Sequence, residues 1–190
     1  AVECNDGTRH NHSIRTGLPS VAWGALYKGT PQSKSTYQAV SDTTGFLEGM
    51  ATVDVRLLKM NPGKESAVRQ KEAAGFVEAM NQEMGTGLWY HDTATTPEKF
   101  LGLGARYGKL GGSGAGNQLV NAGGVGSDNT SVWFVTWSES ATHLLYPKGS
   151  KLGLQHEPKG QQRVLDAQGN PYYVEEDYWR WDMGVAVTDW

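Results

Sequence analysis

The sequence predicts an α+β protein, with one long helix laid across antiparallel strands. Three observations point there. Glycine makes up 25 of the 190 residues, nearly twice the typical share of roughly 7%, and glycine disfavours helix interiors. Apolar residues alternate at period two near 51–58 and again at 179–188, the pattern of half-buried strands. Between them, Ala73, Phe76, Val77, Met80 and Met84 recur at helical spacing, so 62–84 reads as a helix with one apolar face.

Residues 1–50 are polar, broken by Leu18-Pro19-Ser20-Val21-Ala22-Trp23 and Ala25-Leu26-Tyr27. This segment has too little apolar mass for a core of its own and reads as an extended arm or long hairpin. In 51–58, Ala51, Val53, Val55 and Leu57 face one way and Thr52, Asp54 and Arg56 the other. Asn61-Pro62 then offers a cap and a first helical residue. Gly85 offers a left-handed stop.

Leu88-Trp89-Tyr90 reads as a short strand, and Thr96 to Leu101 as one helical turn. Residues 102–126 form a glycine-rich linker region. The run Ser131-Val132-Trp133-Phe134-Val135-Thr136-Trp137 reads as a strand buried on both faces, followed by a second strand at Leu144-Leu145-Tyr146. Asp166-Ala167-Gln168-Gly169-Asn170 separates two β segments and reads as a hairpin turn. The last strand alternates Trp179, Trp181, Met183, Val185 and Val187 with Arg180, Asp182, Gly184, Ala186 and Thr188, so one side is expected to face water.

Net charge is −3, which gives no whole-chain footprint for duplex DNA or an anionic membrane. The single Cys4 excludes an internal disulfide. No apolar run approaches the roughly 20 residues of a membrane span. The chain starts without Met and ends at Trp190 inside a strand-like pattern, so both ends are expected to be cut.

Chemical motifs are weak. His10-Asn11-His12 places two imidazoles on one strand face, but nothing completes a metal site. The glycines at 111–116 lack the flanking elements of a phosphate loop. Ser138, Ser140, His143 and Asp128 are the residue types of a triad without a nucleophile elbow. Glu175 and Asp177 share a strand face, as a glycosidase pair would, but a solvated acidic turn is the simpler reading. No catalytic residue, metal or cofactor is expected. The seven Trp allow two uses: a carbohydrate-binding platform in a β-rich module, or core and interface anchors. Trp23, on an arm without a core, favours insertion into another subunit.

Several stretches resemble the tailed-phage major capsid proteins with the Hong Kong 97-type fold. One is Arg15-Thr16-Gly17-Leu18-Pro19-Ser20-Val21-Ala22-Trp23 with Tyr27-Lys28-Gly29. Another is Pro97-Glu98-Lys99-Phe100-Leu101-Gly102-Leu103 after Trp89-Tyr90. The most specific runs from Gly123-Gly124 through Asn129 to Trp137, then from Tyr146-Pro147-Lys148-Gly149 to Leu154. Gly184-Val185-Ala186-Val187-Thr188-Asp189-Trp190 closes the set.

The resemblance implies an extended loop over 1–50, a strand and spine helix over 51–87, an axial domain over 88–150, and returning sheet strands over 151–190. It implies inter-subunit contacts at Leu18, Pro19, Trp23 and Tyr27. It places Phe76, Val77, Met80 and Met84 in spine-helix packing, and Trp133, Phe134 and Trp137 in the axial strand core. The function implied is a non-enzymatic structural protein of the virion, made in the host bacterial cytoplasm. It would form pentamers and hexamers of an icosahedral shell, with scaffolding or portal proteins as further partners. It would enclose DNA without sequence-specific binding, use no cofactor and touch no membrane. The family's preceding arm and helix, and its closing Arg-rich strand, lie outside these 190 residues, so a truncated piece is expected.

Overall fold

The computed structural model describes residues 1–111, 114–127 and 130–189. Its strands are β1 (Val2–Glu3), β2 (Arg9–Gly17), β3 (Thr36–Thr43), β4 (Gly45–Asp54), β5 (Thr142–Tyr146), β6 (Leu154–Leu165) and β7 (Pro171–Val187). Its helices are α1 (Val55–Lys59), α2 (Glu65–Tyr90) and α3 (Leu103–Arg106), with a 3-10 turn at Gly114–Gln118. The α+β class stands.

Strand β7 organises the sheet. Strand β4 pairs antiparallel along one edge, from Gly45 opposite Met183 to Asp54 opposite Val174. On the other edge β6 pairs from Leu154 opposite Trp181 to Leu165 opposite Pro171. Further along, β5 pairs from Thr142 opposite Val187 to Leu145 opposite Gly184. Strand β1 adds to β5 in parallel. Strands β2 and β3 form a separate antiparallel ribbon, with a bulge between Arg15 and Gly17.

The hairpin at 166–170 follows its turn chemistry. The Asp166 carboxylate accepts hydrogen bonds from the Gln168 N–H at 2.9 Å and the Asn170 N–H at 2.8 Å. Gly169 takes the left-handed conformation that such turns require.

Five expectations change. The strand expected over 51–58 ends at Asp54, whose carboxylate accepts from the Arg56 N–H at 2.7 Å and caps α1. Leu58 is therefore the buried residue, and Leu57 is exposed. Gly63, in the left-handed region, delays the long helix to Glu65. That helix does not stop at Gly85, which has space around it and no left-handed turn. It runs on to Tyr90, absorbing the strand expected at Leu88-Trp89-Tyr90, and its 26 residues span about 39 Å. The turn expected over 96–101 contains one hydrogen bond, Lys99 N–H to the Thr96 carbonyl, and no helix.

Residues 131–137 do not form the predicted strand. No neighbouring strand takes up their backbone beyond a single bridge between Trp137 and Thr142. Only Trp133 and Val135 meet the core. Strand β7 departs in the opposite sense, because residues 182–187 are buried on both faces. Trp190, Gly112, Ser113, Asp128 and Asn129 lie outside the described residues.

The main core joins Met84, Phe100, Leu103, Met183, Val185 and Val187. A smaller cluster, Cys4, Leu145 and Ala186, fills around β5. Helix α2 reaches the core because glycine lets its neighbours approach: a Cβ on Gly102 would lie 2.6 Å from the Gly87 carbonyl oxygen. The expected division at residue 50 falls inside β4, and the one at residue 87 falls inside α2.

Candidate assembly surfaces

The β2–β3 ribbon carries residues 18–35 away from regular structure. A Ser33 hydroxyl donates to the Ser20 carbonyl at 2.7 Å and ties the two sides of this loop. The Lys28 N–H closes a turn on the Ala25 carbonyl at 3.2 Å, with Tyr27 in the left-handed region. Leu18, Pro19, Val21, Leu26 and Tyr27 are exposed, and Trp23 is 99% exposed. Leaving a contiguous apolar set in water is unfavourable unless another surface covers it. Between Gly7 and Ser41 the only charged side chains are Arg9, Arg15, Lys28 and Lys34, so the arm is cationic within an acidic chain. Composition of the whole chain hides this local excess.

Helix α2 lies over β4. Met80 and Met84 are buried and Phe76 is half-buried, whereas Val77 points outward and is exposed. A Cβ at Gly49 of β4 would lie 3.1 Å from the Phe76 ring, so glycine makes room for that ring. Val68, Arg69 and Ala73 continue the covered stripe toward the helix start, while Val77 sits to one side of it. Arg69 binds Asp177 of β7, with Nη2 to Oδ1 at 2.7 Å and Nε to Oδ2 at 3.1 Å. His156 Nε2 meets the same carboxylate at 2.8 Å, and its ring stacks on Trp179 at 4.2 Å between centroids. Burial acts against charge on Asp177, but the bonds from Arg69 and His156 outweigh it and hold its carboxyl below the usual value. At the far end, Glu83 is held low first by the Lys99 ammonium, 2.7 Å away.

Residues 119–127 and 130–137 carry further exposed apolar side chains. Val120, Val125, Val132 and Phe134 are exposed, Phe134 at 96%. Trp133 alone of the expected axial trio is packed, against Trp89 at 5.4 Å and Tyr107 at 5.9 Å between ring centroids. Phe134 points away from the core because alternate residues of this extended run face opposite sides; Trp137, on the same side as Trp133, is half-exposed and packs against neither core cluster.

The motifs read as chemical candidates do not assemble. Asp177 is committed to Arg69 and His156, and so makes no acid–base pair with Glu175. The Ser138 and Ser140 hydroxyls meet each other at 3.2 Å, and neither bonds His143. Among the described residues no group of three His, Cys, Asp or Glu side chains suits a metal ion, and no helix is long and apolar enough to cross a membrane.

A protein-family model for "Major capsid protein GP7" matches residues 1–190. The chain belongs to the major capsid protein GP7 family. Among curated proteins none matches. Solved structures are similar. A chain of bacteriophage epsilon15 is 27% identical with a TM-score of 0.64, over 100% of this chain and 57% of that one. A chain from Microbacterium phage Oxtober96 is 11% identical at TM-score 0.55, covering 99% of this chain and 83% of that one. One from Mycobacterium phage Cain is 10% identical at 0.52, covering 98% and 81%. The last two speak to the fold alone, and they agree with the expectation of a Hong Kong 97-type capsid fold. The chain thus spans little more than half the length of the epsilon15 chain. The carbohydrate-binding alternative finds no support in the family or in these likenesses.

Proposed function

We propose that this chain associates with copies of itself into the pentamers and hexamers of an icosahedral phage head, with the arm at 18–35 covering a neighbouring copy. The observation that carries the reading is Trp23, fully exposed on the loop at 18–35, in a member of a capsid family. Burying Trp23, Leu18, Pro19 and Tyr27 on a neighbour would remove a large aromatic and aliphatic area from water. Identical copies related by closed symmetry repeat that contact around the shell.

Residues 88–150 supply the surface around the symmetry axis, with Val120, Val125, Val132 and Phe134 as its apolar contacts. Helix α2 is the spine that keeps both surfaces in fixed relation, through Phe76, Met80 and Met84. The shell encloses DNA without reading its sequence, and scaffolding or portal proteins are its further partners.

The test is to express the chain and examine it by negative-stain electron microscopy and sedimentation. Shells or capsomers are the expected result. A monodisperse monomer at every concentration, in the chain and in its longest natural form, would overturn the reading.

A further inference from the structure

At the root of the arm three imidazoles are shut in together. His10 and His12 project from β2 with ring centroids 5.6 Å apart, and His143 of β5 meets His10 edge-on at 5.8 Å. His143 is 6% exposed and the His12 side chain 8%. Asp42 of β3, also buried, is the carboxylate among them. It accepts from His12 Nε2 at 2.9 Å and forms an ion pair with the Arg106 guanidinium of α3, Nη2 lying 2.8 Å from it. Arg106 donates further to the carbonyls of Val185 at 2.7 Å and Leu101 at 3.2 Å.

The remaining polar atoms are unmatched. Nδ1 of His10, Nδ1 of His12, both ring nitrogens of His143 and Nε of Arg106 are buried without a hydrogen-bond partner. The Ser138 carbonyl is close enough to favour a proton on His143, though it falls short of hydrogen-bond geometry. A buried polar atom without a partner has an energetic cost, so a cluster of them in one place calls for a reason.

We propose that His10, His12 and His143 form a proton-operated latch that holds the root of the β2–β3 arm against β5 and α3 at neutral pH and releases it in mild acid. The charge count explains why. The single negative charge of Asp42 is already matched by Arg106. Each imidazolium added to the cluster is then an uncompensated positive charge in a buried place, with a new N–H that has no acceptor. Of the other groups packed around it, the Cys4 thiol beside β1 is pushed up by burial and stays neutral, and Glu3 is engaged by the Gly149 N–H at 2.7 Å. Opening the root lets water reach the rings and relieves the charge.

The sign follows. Burial pushes the His12 and His143 imidazoles below the ordinary histidine value; for His12 it outweighs the opposing pull of the Asp42 carboxylate, with Arg106 pushing down alongside it. A group with a depressed folded-state value favours the closed form above about pH 6.5 and disfavours it as pH falls from there. The latch depends only on contacts within one chain, so it is tested without assembly.

The experiment is hydrogen exchange on the full unassembled chain at about pH 7.5 and pH 5.5, corrected for intrinsic rates, with imidazole titration by NMR. The expected result is a loss of protection of roughly tenfold or more in residues 9–17 and 36–43, with α2 unchanged. In His143→Leu, which cannot charge, most of that loss should vanish; His10→Gln serves if that variant does not fold. Unchanged protection in the wild type, with all three rings titrating as in an unfolded peptide, would overturn the proposal. So would a response of these rings to zinc without a response to pH.

Discussion

Arg69 of α2 holds the Asp177 carboxylate of β7 through two nitrogens, across 108 residues of sequence. This pair pins the start of the long helix to the sheet, far from the Met84 core at its other end. Its partner His156 completes the set from β6, so three elements converge on one carboxylate.

Removing the guanidinium should leave a buried carboxylate with only His156 for support. Arg69→Met is expected to lower stability by roughly 1.5–3 kcal/mol, the range for hydrogen bonds to charged groups. Asp177 has a depressed folded-state value, so its contribution is present above the ordinary carboxylate range and lost as pH falls through the folded value. Denaturant titrations at about pH 7 and pH 3 should therefore show a smaller acid-induced loss in the variant. An equal loss in both would remove the pair from the stability account.

Phe100 and Phe134 are the same residue type in opposite settings. Phe100 is 2% exposed and contacts the His91 ring at 5.2 Å between centroids. Phe100→Ala should cost about 3–5 kcal/mol. Phe134→Ala should change the stability of the isolated chain by less than about 0.5 kcal/mol. Thermal or denaturant unfolding of both variants measures the contrast.

Two glycines should respond with opposite signs. A Cβ on Gly184 would sit 2.7 Å from the Thr43 carbonyl oxygen, a backbone atom that cannot swing aside. Gly184→Ala should therefore destabilise by about 1–3 kcal/mol. Gly85 is helical with open space around it. Gly85→Ala should stabilise by about 0.5–1 kcal/mol, from helix propensity. Melting temperatures that move in the same direction would contradict the packing described.

Trp23→Ala tests the arm. The ring touches nothing in its own chain, so unfolding of the monomer should shift by less than about 0.5 kcal/mol. Assembly should fall sharply, because a buried aromatic anchor is worth on the order of 2 kcal/mol or more at an interface. Sedimentation of wild type and variant at matched concentrations measures it. A variant that assembles equally well would place the contact elsewhere.

Periodicity carried much of the fold into view. The alternation at 179–187 announced β7, and the 166–170 turn residues announced the β6–β7 hairpin. The stripe through Met80 and Met84 announced α2. These signals are local: the side chains that reveal an element lie within a few residues of each other. The exposed arm was legible for the same reason, since a run of polar and turn residues around Trp23 cannot make a core by itself.

Position along the chain did not tell what each element would meet. The run at 131–137 has the composition of a buried strand, yet among the described residues no strand pairs with it beyond the one bridge at Trp137, and Val132 and Phe134 face outward. Gly85 has the composition of a stop, yet α2 continues because Met84, Gly87 and Leu88 still have core to cover. Strand β7 has an alternating pattern that suggests one wet face, yet covering elements close both faces over 182–187. The histidine cluster is the clearest case. His10-Asn11-His12 is an unremarkable polar triplet until β5 and α3 bring His143 and Arg106 against it. By itself the sequence determined the α+β class, the long helix, the hairpin and the unsupported arm, because local spacing dictates them. Only the tertiary structure decided which faces are buried and which charges share a cavity, because those depend on partners 30 to more than 100 residues away.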